Sequence, residues 1–159
     1  MRIVAYLRSM GSAPDRVEAG SEQRGRGIFM GKGGCTECHR LDGVGSPMGP
    51  DLSRIGRVRR AAEIEASLLD PVAEIQPTNR SYEVVTRDGT TVAGRLLNHD
   101  TFSVQLIDTD GRLRSFSKTD VRRHGFKDSP MPSVRGKLTA DEVADLVAFL
   151  VSLQGVTPR

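Results

Sequence analysis

The two cysteines of this 159-residue chain stand three positions apart with a histidine directly behind the second, in Cys35-Thr36-Glu37-Cys38-His39. No other stretch restricts the fold as much, because two sulfurs and an imidazole must be presented together. Three uses compete. A structural zinc ion wants four ligands, usually with a second Cys or His pair at a similarly short spacing, and the remaining histidines, His99 and His124, stand 25 residues apart. A thioredoxin-like dithiol wants its CxxC just after a strand, opening a helix whose amino terminus lowers the thiol pKa. Here the preceding residues, SEQRGRGIFMGKGG, read as a helix followed by a glycine break. Covalent haem attachment meets neither objection. Two thiols add across the porphyrin vinyl groups as thioethers, and the adjacent histidine ligates the iron from one face. The motif therefore predicts one covalently attached haem c, bound through Cys35 and Cys38, with His39 as a metal ligand.

Composition allows this. The apolar fraction of 37% is enough for a packed core, while 4% aromatics and no Trp leave room for a large apolar cofactor to share the packing. No apolar run approaches the ~18 to 20 residues of a membrane span, so no transmembrane segment is expected. The formal charge of +3 is far from a nucleic-acid-binding face, and two haem propionates would bring it close to neutral.

A haem iron bound on one face needs a sixth ligand or an open site on the other. Ser129-Pro130-Met131-Pro132 is the expected source. A thioether is a weak, soft ligand, and flanking prolines hold its loop with little entropy left to lose. Met131 is thus the expected distal ligand. His124 is the rival, giving a bis-histidine iron of lower potential, and an exchangeable site is the third option. Met48 follows His39 too closely, and Met30 is expected to pack with Phe29 on an apolar helix face.

Together these residues resemble the class I c-type cytochromes: Gly25-Arg26-Gly27-Ile28-Phe29 ahead of the motif, CTECH itself, Gly49-Pro50-Asp51-Leu52 after it, SPMP, and a closing helix. The resemblance implies that the carbonyl of Pro50 accepts a bond from the second ring nitrogen of the proximal histidine, fixing the ring and raising its basicity. It also implies that Gly25 and Phe29 lie where the first helix crosses the last. The expected fold is mainly α, a cytochrome c helical arrangement around one haem.

The segment between the histidine and the methionine, 92 positions long, adds a small antiparallel β insertion at about 81–121, between the second helix and the methionine loop. SYEVVTR and TTVAGRLL flank Asp88-Gly89, a type I′ hairpin signal, and TFSVQLID and RLRSFSK flank a second turn at 108–111. Gly94 within a strand suggests a bulge. Helices are expected over Ala61–Leu69, ended by Asp70-Pro71, and after Thr139, whose capping box with Glu142 precedes Val143, Leu146, Val147 and Leu150 at helical spacing. With this insert, residues 18–154 resemble the haem-binding domains near the ends of large periplasmic dehydrogenase-like proteins. The insert alone faintly resembles an Sm-like barrel, but it lacks the aromatic platform of an RNA reader.

Residues 3–10, IVAYLRSM, align without a gap on LVAFLVSL at 146–153. Residues 1–17 are therefore expected to be a helix and linker closing a preceding cytochrome domain, with the monohaem domain at 18–155. The expected work is one-electron transfer with no enzymatic turnover, in a periplasmic compartment whose export signal this chain does not carry. The partner would be another redox protein, a dehydrogenase or a cytochrome. A haem enzyme or sensor with an open distal site is the alternative. The arginines 54, 57, 59 and 60 could steer an acidic partner or pair with propionates.

Overall fold

The computed structural model describes residues 20–73, 75 and 79–155. The expectations for residues 1–17 therefore lie outside the described residues.

Helix α1 (Glu22–Met30) starts where Ser21 accepts the Arg24 N–H, and it ends at Gly31. A single 3-10 turn, Cys35–Glu37, carries the first cysteine into the short hairpin β1 (Arg40–Leu41) and β2 (Val44–Gly45). Helices α2 (Ile55–Val58) and α3 (Ala61–Leu69) follow, and the Arg60 N–H donates to Glu63 to close the amino terminus of α3. Strands β3 (Ser81–Thr86), β4 (Thr91–His99), β5 (Ser103–Asp108), β6 (Leu113–Ser117) and β7 (Val121–Lys127) form one antiparallel sheet in the order β6-β5-β4-β3-β7. Helix α4 (Ala140–Ser152) closes the described fold, with the Thr139–Glu142 capping box formed in both directions.

The mainly α expectation is wrong. Among the described residues, strands hold about as much of the chain as helices, and the protein is a mixed α/β fold with a five-stranded and a two-stranded sheet. The strand-rich segment builds a core of its own. Tyr82, Val84, Val92, Val104, Leu106 and Val121 are buried against one another on one face of the sheet, with Leu96 and Phe116 at the margin. A sheet that buries one face against its own residues has to curl, and the register shifts at Leu96/Asn98 and at Val85/Thr86 supply local bends.

The helical core is separate. Phe29, Ile64, Leu68, Val134 and the inner face of α4, from Val143 to Leu150, pack together. Helices α1 and α4 cross closely: a Cβ on Gly25 would lie 2.0 Å from the Asp145 carbonyl oxygen and 2.7 Å from the Phe149 Cβ. Only glycine lets the backbones approach this far. The rings of Phe29 and Phe149 meet beside the crossing at 5.6 Å between centroids. Asp145 is buried, and its carboxylate accepts the Ser21 N–H at 2.6 Å and the Arg24 guanidinium at 2.6 and 2.8 Å. Met30 departs from the expectation, being 48% exposed beside the fully buried Phe29.

Three local expectations also change. Strand β7 continues the sheet past residue 121 and pairs with β3. At the β3–β4 turn only Gly89 has a positive φ, and its N–H donates to Thr86, so the turn is not type I′. The two-residue loop with both φ values positive is Asp42-Gly43, between β1 and β2. Gly94 marks a close approach to the Ile107 carbonyl, and the bulge falls after Leu96.

Candidate functional site

The attachment motif is held by its own backbone. The His39 N–H donates to the Cys35 carbonyl at 2.8 Å, and the Gly49 N–H donates to the Cys38 carbonyl at 2.6 Å. These bonds fold residues 46–52 back over the histidine. A Cβ on Gly49 would stand 2.9 Å from the imidazole ring, so this position has to be glycine for the chain to pass. The next residue closes the arrangement: His39 Nδ1 donates to the Pro50 carbonyl at 2.8 Å. With Nδ1 committed to an acceptor, the neutral ring keeps its lone pair on Nε2. Burial pushes the His39 pKa below its usual value, opposed by the Pro50 bond.

A cavity of about 390 Å³ lies between the helices and the sheet. Cys38, His39, Met48, Pro50 and Met131 all line it, so the structure brings the histidine and the SPMP methionine to one space. Much of the remaining wall is aliphatic, from Leu52, Ile55, Ile64 and Leu68 of the helical side to Ile107 of the sheet. Cys35 sits apart from this lining and packs, partly buried, on the helical core. The sheet wall is set by register. Ser81 of β3 faces Arg95 of β4 and Lys127 of β7, and Arg95 faces Ile107 of β5, so these side chains share the sheet face turned away from the strand core.

The methionine loop is stapled to the end of α3. Ser133 Oγ and Arg135 Nε both donate to the Leu69 carbonyl, at 2.7 and 3.0 Å, and the Val134 N–H donates to the Leu68 carbonyl. Met131 is thus held a short way from a fixed point, and its own N–H donates to Ser129 Oγ at 3.3 Å. His124 lies elsewhere, on β7. Its Nδ1 is 2.6 Å from the Tyr82 hydroxyl and its ring is 5.4 Å from that of His99, and it does not line the cavity. Of the four clustered arginines, Arg59 alone lines the cavity, where it donates to Ser67 Oγ at 2.8 Å.

Burial pushes both thiols up, reinforced at Cys38 by Glu37 and opposed at Cys35 by Lys137. A disulfide-exchange site needs the opposite shift. Among the described residues no three His, Cys, Asp or Glu side chains are grouped to hold a metal ion, and no helix is long and apolar enough to cross a membrane. Two cationic residues in the sheet wall, Arg95 and Lys127, escaped sequence reasoning because only the strand register brings them to the cavity.

No protein-family model matches the chain, and no curated protein matches it in sequence.

Proposed function

We propose that this chain is a one-electron carrier built on a c-type haem, which Cys35 and Cys38 would anchor as thioethers and whose iron His39 and Met131 would hold. One arrangement supports this most. His39 spends Nδ1 on the Pro50 carbonyl, keeps Nε2 for a ligand, and shares its cavity with a methionine pinned to α3. The residues present suit the group: an aliphatic wall receives a flat apolar macrocycle, and Arg59, Arg95 and Lys127 supply positive charge for its two carboxylates.

Haem bound there supplies the Fe(III)/Fe(II) couple. The chain does the rest. His39 offers a nitrogen whose basicity the Pro50 carbonyl raises. Met131 offers a soft sulfur, which favours the reduced state. With both His39 and Met131 holding the iron, no ligand position would be left for a substrate, so the electron would pass to or from a second redox protein, a dehydrogenase or a cytochrome in the periplasm.

Absorption spectroscopy of protein matured in a host that attaches haem tests this. The oxidised form should show a low-spin spectrum with the sulfur-to-iron charge-transfer band, and the reduced form should resist carbon monoxide. Met131→Ala should become high-spin or ligand-exchangeable, while His124→Ala should keep the parent spectrum. Ready binding of carbon monoxide by the unmutated protein would overturn the electron-carrier reading in favour of an open-site enzyme or sensor.

A further inference from the structure

We propose that Arg95 of β4 is the residue that receives a haem propionate, so that the sheet serves as the carboxylate-binding wall of the cavity; this rests on the function proposed above. The first ground is an unmet donor. Arg95 is half-buried and lines the cavity; protein atoms shield its Nε, while its terminal guanidinium nitrogens stay accessible and make no hydrogen bond among the described residues. Buried guanidinium N–H groups are normally paired, because leaving one without an acceptor forfeits its hydration for nothing.

The second ground is charge. Arg24, Arg114 and Arg123 each form an ion pair, with Asp145, Asp108 and Glu83 respectively, whereas Arg95 forms none among the described residues. The acids that line the cavity do not answer its charge. Asp108 already accepts the backbone N–H groups of Asp110 and Arg112 and the Arg114 guanidinium. Of the other cations that line the cavity, Lys127 is 3.6 Å from Glu83, which Arg123 also pairs, and Arg59 donates to Ser67 Oγ. Asp128 also lines the cavity, and it makes no bond to Arg95. The acceptor for its accessible terminal nitrogens is therefore expected on the occupant.

The third ground is shape. A guanidinium presents donors in a planar fork that matches a carboxylate. Arg95 carries that fork on a strand held on both sides, by β3 and by β5, so its position is set by sheet register. Arg40 also has an unpaired buried Nε, but it does not line the cavity.

The test uses matured protein whose intact mass shows one haem. An Arg95 that faces a propionate keeps that carboxylate ionised to low pH. In Arg95→Gln the pH at which the reduction potential begins to fall should rise by about 1 to 3 units, and Arg95→Lys should lie between. A curve for haem-loaded Arg95→Gln that superimposes on the parent overturns the proposal and leaves the electron-carrier function intact. In the unmutated protein, ¹⁵N-arginine labelling should show the terminal guanidinium protons of Arg95 protected from exchange and in nuclear Overhauser contact with the propionate methylenes. Absence of that contact overturns the proposal even if Arg95→Gln does not fold. Unmutated protein that matures without haem overturns the function itself.

Discussion

Two glycines in α1 should respond to alanine in opposite directions. At Gly25 a Cβ would fall 2.0 Å from the Asp145 carbonyl oxygen and 2.6 Å from its carbon. Ordinary contact between heavy atoms is about 3.5 Å, so the helices must part by roughly 1 Å or more, since a backbone carbonyl cannot rotate aside as a side chain can. Overpacking of this kind costs about 1–3 kcal/mol, and here the upper end applies. Separation also loosens the Phe29–Phe149 pair, whose contact is worth about 0.5–1.5 kcal/mol beyond burial. Alanine returns about 1 kcal/mol through helix propensity. The net expectation for Gly25→Ala is a loss of about 2–3 kcal/mol. Gly27 lies one turn face away, where a Cβ meets nothing within 4 Å, so Gly27→Ala should gain about 0.5–1 kcal/mol. At roughly 2–4 °C per kcal/mol for a chain of this size, the two variants should differ in Tm by about 5–15 °C, read by circular dichroism and checked by urea titration. Equal or greater stability of Gly25→Ala would show that α1 and α4 do not cross at this residue.

Acid should release the tie between the same helices. The Arg24 guanidinium, and after it the Ser21 N–H, hold the Asp145 carboxyl below the ordinary carboxylate pKa. A lowered folded pKa stabilises the fold fully above the unfolded value, and that contribution fades as pH falls through the folded one. The stability gap between the parent and Asp145→Asn, measured by urea titration, should therefore be widest near neutrality and shrink on acidification toward pH 3. Leu106→Ala, at a fully buried position of the strand core, should cost roughly 2–5 kcal/mol while leaving the absorption spectrum of the proposed haem as in the parent.

The local contacts around the CxxCH motif were more legible in the sequence than the architecture around them. CxxCH and the glycine-proline step after it lie within a dozen residues, and the resemblance to class I c-type cytochromes, rather than spacing alone, set His39 against Pro50, where the structure has it. Helices α3 and α4 were readable too, α3 from the stop at Asp70-Pro71 and α4 from the capping box at Thr139–Glu142. The sheet was underestimated for a physical reason. Strand β7, VRRHGFK, shows only Val121 and Phe126 as large apolar residues, and it is a strand because β3 pairs with it across some forty residues. Without β7 the segment looks like an accessory pair of hairpins; with it, the strands enclose their own core, and the mainly α expectation fails. Turn chemistry misled in a smaller way. Asp-Gly occurs at both 42–43 and 88–89, and the two-residue turn forms at the first, where Leu41 and Val44 pair directly. Arg95 was illegible because nothing in its neighbours along the chain tells which sheet face meets the cavity.

The claim on which the functional account stands is covalent attachment at Cys35 and Cys38. Intact-mass spectrometry of the protein, produced with a working cytochrome maturation system and read beside its pyridine haemochrome spectrum, measures it directly. The account predicts a polypeptide heavier by one haem, with the mass increment lost in a Cys35→Ala, Cys38→Ala double variant and the spectrum showing two thioether links. A folded, colourless protein with the mass of its amino acids alone would contradict it.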